Sequence, residues 1–146
     1  MDKVRAKTKT VFTKEFGAKT GTIPNLKTAV EHVIDVERRL VLVKFGKTLT
    51  VADIARYAEF LRCNPSFDST YSEIVDLTRV EELRLGANDF LRLADEIDPF
   101  ASQSKRAFVV RNSSQEHAAR MHRALHSQRS LEIFHSLAEA EAWVAI

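Results

Sequence analysis

Residues Arg106 to Val110 contain the unbroken apolar run Ala107-Phe108-Val109-Val110. A strand that is apolar on both faces has to be covered on both, which places it inside a parallel sheet flanked by helices. The neighbouring segments agree with that architecture. His32 to Val36 and Leu40 to Phe45 are short strand-like stretches joined by the polar turn Asp35 to Arg39, and they are expected to pair as a hairpin. Thr50 with Asp53 three residues on resembles a capping box. It opens a helix whose apolar face is Val51, Ile54, Ala55, Ala58 and Leu61, and Asn64-Pro65 ends it. Glu73 to Leu77 reads as a strand, and Asn88 to Ile97 as a second helix with Phe90, Leu91, Ala94 and Ile97 inward. Ser114 to His126 is a third helix, with Ala118, Met121 and Leu125 inward. Leu131 to Phe134 is the last strand. Ser136 with Glu139 opens a last helix with Leu137, Ala140, Trp143 and Val144 on its apolar face. The order β-β-α-β-α-β-α-β-α predicts one α/β domain over residues 28–146, a mixed sheet with helices packed against it.

Composition narrows the class. The chain has 146 residues, 45% hydrophobic and 29% charged, enough for one core and a solvated surface. Its single cysteine, Cys63, excludes an intramolecular disulfide framework and a cysteine-built zinc site. There is no apolar run of about 18 residues to span a membrane, and the first residues, MDKVRAKTKTVFTKEF, lack the apolar stretch of a secretory signal. A cytoplasmic domain is therefore expected. The four glycines stand apart at 17, 21, 46 and 86, so neither a P-loop nor a dinucleotide fingerprint can be built, and no cofactor is expected.

Charge is unevenly placed. Residues 1–30 hold seven Lys/Arg against Asp2 and Glu15, whereas residues 31–98 hold nine basic and fourteen acidic residues. Two readings fit residues 1–27: a basic arm that touches anionic membrane or nucleic acid through Val11, Phe12 and Phe16, or a mobile solvated tail. The apolar positions show no sustained helical period, which favours the tail. The basic pI of about 8.8 mostly reflects this segment, so a nucleic-acid partner is not expected.

Candidate chemistry is sparse. His122 and His126 stand at i, i+4, but a metal needs a third ligand, and Arg120, Arg123 and Arg129 disfavour a cation. With these arginines they read as a solvated face that could take an acidic partner. Cys63 reads as buried packing rather than a nucleophile. Ser113 and Ser114 before His117 read as helix capping, not as a triad. The pairs Glu81-Glu82 and Asp95-Glu96 are adjacent, so on a helix they would point apart and share no acid–base site. No catalytic and no metal-binding residue is assigned, and the chain is expected not to be an enzyme.

Three stretches carry a family likeness: Ser104 to Val110 followed by Ala119-Arg120-Met121; Phe134 to Val144; and Asp76-Leu77-Thr78-Arg79-Val80. With the element order, they resemble STAS domains, the fold of bacterial anti-sigma-factor antagonists and of the cytoplasmic tails of sulphate transporters, and more narrowly a stand-alone bacterial STAS-like group. The likeness covers about residues 30–146. In antagonists of that family, a serine at the start of the second helix is phosphorylated by a partner kinase. The matching pair here reads Arg84-Leu85, without a hydroxyl, so the resemblance implies the surface but not the switch. Thr78 matches an earlier hydroxyl of the pattern and reads otherwise as a turn residue.

The expected function is a regulatory or protein-interaction module. Its partner surface would run from Thr78 through Arg84, Leu85, Gly86 and Asn88 to Asp89, where backbone N–H groups at a helix start would suit an acidic partner. The alternative is a carrier or sensor of a small apolar, lipid-like ligand held between sheet and helices, with Phe60, Phe67, Phe90 and Phe100 as candidate lining. A weak homodimer through an exposed strand edge is a further expectation.

Overall fold

In the computed structural model, which describes residues 30–125 and 130–146, Glu31–Asp35 (β1) and Leu40–Lys44 (β2) form the expected antiparallel hairpin. Its turn holds Arg39 at φ 54, the one non-glycine residue with positive φ among the described residues. Strand β2 pairs in parallel with Ser72–Asp76 (β4), β4 with Lys105–Val109 (β6), and β6 with Ser130–Phe134 (β7). The sheet order is β1-β2-β4-β6-β7, so the apolar run of β6 is flanked by strands on both sides, as its composition requires.

Two short strands lie outside that sheet. Thr48–Thr50 (β3) and Glu82–Arg84 (β5) form a separate parallel ladder, so the order is β-β-β-α-β-β-α-β-α-β-α. Three-residue strands carry too little periodicity to be read from sequence.

Four helices cover the sheet. Helix α1 (Val51–Cys63) starts on the predicted capping box: Thr50 Oγ1 accepts from the Asp53 N–H at 3.2 Å, and the Thr50 N–H donates to Asp53 Oδ2 at 3.1 Å. Helix α2 (Ala87–Arg92) continues into a π-helical turn, Leu93–Ile97, closed by the Asp98 N–H on the Leu93 carbonyl at 3.1 Å. Helix α3 is Ser113–Leu125 and α4 is Leu137–Val144. Ser136 caps α4, accepting from the Glu139 N–H at 3.1 Å.

The alternation of side chains along each strand separates two cores. Leu40, Ile74, Ala107 and Val109 pack with Ala140, Leu137 and Trp143 of α4. Val41, Val43, Val75, Phe108 and Leu131 face the other way, toward Tyr57 and Leu61 of α1 and Ala119 of α3.

Two helix faces differ from the sequence expectation. In α2 the inward residues are Phe90, Leu93 and Ile97, while Leu91, one step of about 100° round the helix, is 46% exposed. In α3 the buried stripe is Gln115, Ala118, Ala119 and His122, and Leu125 is largely exposed. A pattern that sends polar residues outward mis-phases α3, because Gln115 finds hydrogen-bond partners inside and His122 packs on the Phe108 ring.

Candidate functional site

Glu73 and Arg106 are partners across the β4–β6 ladder and face α1 from adjacent central strands. Arg106 Nε and Nη2 both donate to Glu73 Oε1 at 2.7 Å, and Nη1 donates to Asp98 Oδ2 at 2.9 Å. The Tyr57 hydroxyl donates to Glu73 Oε2 at 2.7 Å. All three charged side chains are 5% exposed or less. Burial opposes the charge on Arg106, but the Glu73 and Asp98 carboxylates more than offset it and hold the guanidinium above its ordinary value. Burial, with the Glu73 carboxylate beside it, pushes the Tyr57 hydroxyl well above the usual phenol range. The Phe100 ring stacks on the guanidinium 4.6 Å from its carbon, and the Phe100 N–H donates to Asp98 Oδ1 at 3.0 Å. The π-helical turn thus delivers Asp98 to the strands, held from α1 by Arg62, which donates to the Ile97 carbonyl.

This cluster borders an apolar cavity of about 80 Å³. Phe45, Val75, Leu77 and Phe108 line it from the sheet, Ile54 and Tyr57 from α1, and Ala118 and His122 from α3. Leu83 and Leu85, with Phe90, Leu93 and Ile97, line it from the β5–α2 segment. A cavity of 150 Å³ lined by aliphatic and aromatic groups accepts benzene, so this one, about half that volume, has room for a few heavy atoms and not for a whole lipid.

The predicted partner surface runs along the same segment. Thr78 is half-buried and donates through N–H (2.8 Å) and Oγ1 (2.6 Å) to Asp76 Oδ1. The loop behind it is pinned by Arg111 on the Thr78 carbonyl (2.7 Å) and Gln115 on the Val80 carbonyl (2.8 Å). Arg84 is exposed and paired with Glu82 at 2.9 Å. Gly86 and Asn88 are exposed, whereas Leu85 turns into the cavity. The Asp89 carboxylate accepts the Gly86 N–H at 2.9 Å and places a negative charge at the helix start.

Other candidates separate as clearly. Of the four phenylalanines proposed as lining, Phe90 lines the cavity; Phe67 and Phe100 pack on each other at 5.2 Å, and Phe60 stacks on His32 at 4.4 Å. Cys63 is exposed rather than packed, and its thiol donates to Glu59. His122 leaves the solvated face assigned to it: it is buried, 5.4 Å from the Phe108 ring. Arg120 pairs with Glu116, and Arg123 with Glu132 at 3.8 Å. The α3 cap is Asn112, whose Oδ1 accepts from the Gln115 N–H at 2.9 Å, in place of Ser113 or Ser114. Glu82 stands in β5, not on a helix. His126 and Arg129, and residues 1–27 with Val11, Phe12 and Phe16, lie outside the described residues. Among the described residues, no three His, Cys, Asp or Glu side chains group to hold a metal ion, and no helix is long and apolar enough to cross a membrane.

The sequence reading missed the Tyr57–Glu73–Arg106–Asp98 cluster. Its signal was a charged residue of opposite sign at the start of each of two apolar strands, which becomes a pair only once the strands are known to be neighbours.

The sheet, its helix layers and the β4–β5–α2 segment make a mixed α/β fold. No protein-family model matches the chain, and no curated protein matches its sequence. Its fold is similar to the crystal structure of an uncharacterized protein of the DUF3478 family with a SpoIIAA-like fold from Shewanella loihica PV-4, with a TM-score of 0.53. The two are 19% identical, and the match covers 72% of this chain and 83% of that one. The fold is therefore SpoIIAA-like, in agreement with the STAS resemblance of the sequence.

Proposed function

We propose that this chain is a non-enzymatic sensor module: a small apolar ligand fills the cavity, and the Thr78–Asp89 surface reports its presence to a protein partner. One observation carries the reading. Leu83, Leu85 and Phe90 line the cavity, while Arg84, Gly86 and Asn88 between them are exposed. One segment therefore touches both the ligand space and solvent, so a ligand that moves the first moves the second. The charged groups at the cavity are committed to one another, as expected of a structural floor rather than a reacting centre.

Propan-1-ol, small enough for the cavity, tests this, titrated into the protein with backbone amide shifts recorded by NMR. Saturable shifts are expected at Val75, Phe108 and Leu85, and also at Arg84, Asn88 and Asp89. No saturable shift anywhere would remove the ligand. Saturation at Val75 and Phe108 with none at Arg84 to Asp89 would remove the coupling to the surface.

A further inference from the structure

We infer that the strap of residues 81–86, which carries β5, is the gate of the cavity: it swings away from β3 to admit a small apolar ligand and closes over it again. The inference rests on the cavity being a ligand site and adds the route by which the ligand enters and leaves.

The exposure of the lining places the mouth. Most of the lining residues are buried; the partly exposed ones are Ile54, Leu83, Leu85, Asp98 and Pro99. Asp98 and Pro99 stand at the ion cluster. There the Asp98 side chain is 4% exposed and held by Arg106 at 2.9 Å, and Arg62 on the Ile97 carbonyl ties the turn to α1, so that end is closed. Leu83 and Leu85 come from the strap, and Ile54 from the first turn of α1, which follows β3 directly. Leu83 is the register partner of Leu49, itself a lining residue, and Arg84 that of Thr50, the cap of α1. The apolar lining that water reaches is thus gathered at the β3–β5 ladder.

The strap is fixed at its ends and lightly held between them. At one end the Val80 N–H donates to the Leu77 carbonyl at 2.9 Å, and the Val80 carbonyl accepts from Gln115 at 2.8 Å. At the other, the Gly86 N–H donates to Asp89 at 2.9 Å, and Phe90 is buried. Between these points the strap is joined to β3 by a three-residue ladder that stands outside the five-stranded sheet. The Glu81 and Glu82 N–H groups add bonds to the Lys47 carbonyl at 2.7 and 2.9 Å. The salt bridge of Arg84 with Glu82 at 2.9 Å joins two residues of the strap itself and so anchors it to nothing. An isolated two-stranded ladder is marginal in water, and segments with few buried contacts open at a fraction of the cost of global unfolding. Tyr57, Glu73, Arg106 and Asp98 all lie outside the strap, so it moves without breaking the ion cluster.

A reversible lock tests this. Thr48 and Glu82 are register partners and do not line the cavity. Neighbouring strands lie about 4.8 Å apart, a separation that a disulfide spans. Thr48→Cys with Glu82→Cys, in a chain carrying Cys63→Ser, is oxidised, and the bond is confirmed by mass. Propan-1-ol exchange is then followed through NMR line shapes at Val75 and Phe108. The lock is expected to slow entry and exit about tenfold or more, about 1.4 kcal/mol added to the cost of opening. A gate scales both rates alike, so Kd should stay within about twofold, and dithiothreitol should restore the original rates. Glu82→Pro, which removes one N–H from the Lys47 carbonyl, should instead speed exchange about fivefold. Equal rates in the oxidised and reduced chains overturn the gate and leave the cavity a ligand site, as does a lock that weakens binding without slowing exchange. No saturable propan-1-ol shift in the wild-type chain removes the ligand site and the gate together. If the two cysteines fail to bridge, Glu82→Pro decides alone, and unchanged exchange in that variant overturns the gate.

Discussion

On the α4 side of the sheet, Ala107 and Ala140 are fully buried in one cluster with Ile74 and Val109, and small residues let the helix close onto the strands. On the other side, the same strands present Glu73, Arg106 and Phe108 to α1, the β5–α2 segment and α3, and there the packing leaves a cavity. One sheet thus carries a filled face and an unfilled one. Ala and β-branched residues interdigitate at close range, whereas a buried ion cluster and aromatic rings impose fixed hydrogen-bond and edge-to-face geometry that the surrounding helices cannot collapse upon. The filled face contributes stability, and the unfilled one has room for a function.

The strongest way to break this comparison is Arg106→Met. Removing the guanidinium leaves Glu73 and Asp98 buried without their cation, and a loss of about 3–5 kcal/mol in urea unfolding is expected. A loss below about 1 kcal/mol would mean that the cluster is solvated and that the unfilled face is not set by it.

A second contrast enlarges one alanine on each face. Ala140→Leu on the filled face should cost about 1–3 kcal/mol through overpacking. Ala118→Met, which adds volume beside the cavity, should change stability by less than about 0.5 kcal/mol. Equal costs in thermal unfolding would erase the difference between the faces.

A third contrast sharpens the cavity side through pH. His32, packed at 4.4 Å from Phe60 and 5.8 Å from Tyr57, is lowered by burial to about 4. Between pH 6.5 and 4 the unfolded chain binds a proton that the folded chain excludes. The stability is therefore full above about pH 6.5 and is lost as pH falls, at up to about 1.4 kcal/mol per pH unit. His32→Phe should remove that slope, measured by urea unfolding at pH 7 and pH 5, while the filled face is untouched.

Much of the fold was legible because periodicity and caps are local. The capping box of Thr50 with Asp53, the hairpin about Asp35 to Arg39, the apolar run of β6 and the Ser136 cap each declare themselves within a few residues, and the STAS resemblance fits the fold they build. The β3–β5 ladder was not legible, since six residues far apart in sequence pair only when the domain closes. The inward turn of Gln115 was hidden because its amide is satisfied by a partner no local window contains, the Val80 carbonyl, and that of His122 because the Phe108 ring it packs on lies on a strand. Of the candidate site, the stretch Thr78 to Asp89 was singled out from sequence, but its division into Leu83 and Leu85 inside and Arg84 and Gly86 outside was not.

The sequence by itself determined most of the helix and strand segments, their mixed α/β class, and that glycine-built phosphate sites are excluded. These follow from short-range sterics, hydrogen bonding and apolar spacing. Only the tertiary structure decided that Glu73, Arg106, Asp98 and Tyr57 share one buried cluster, that it borders a cavity, and that the β5–α2 segment lines that cavity. Strand order and helix placement bring those groups together across 8 to 33 positions of the chain, and burial then makes their mutual attraction stronger than it would be in water.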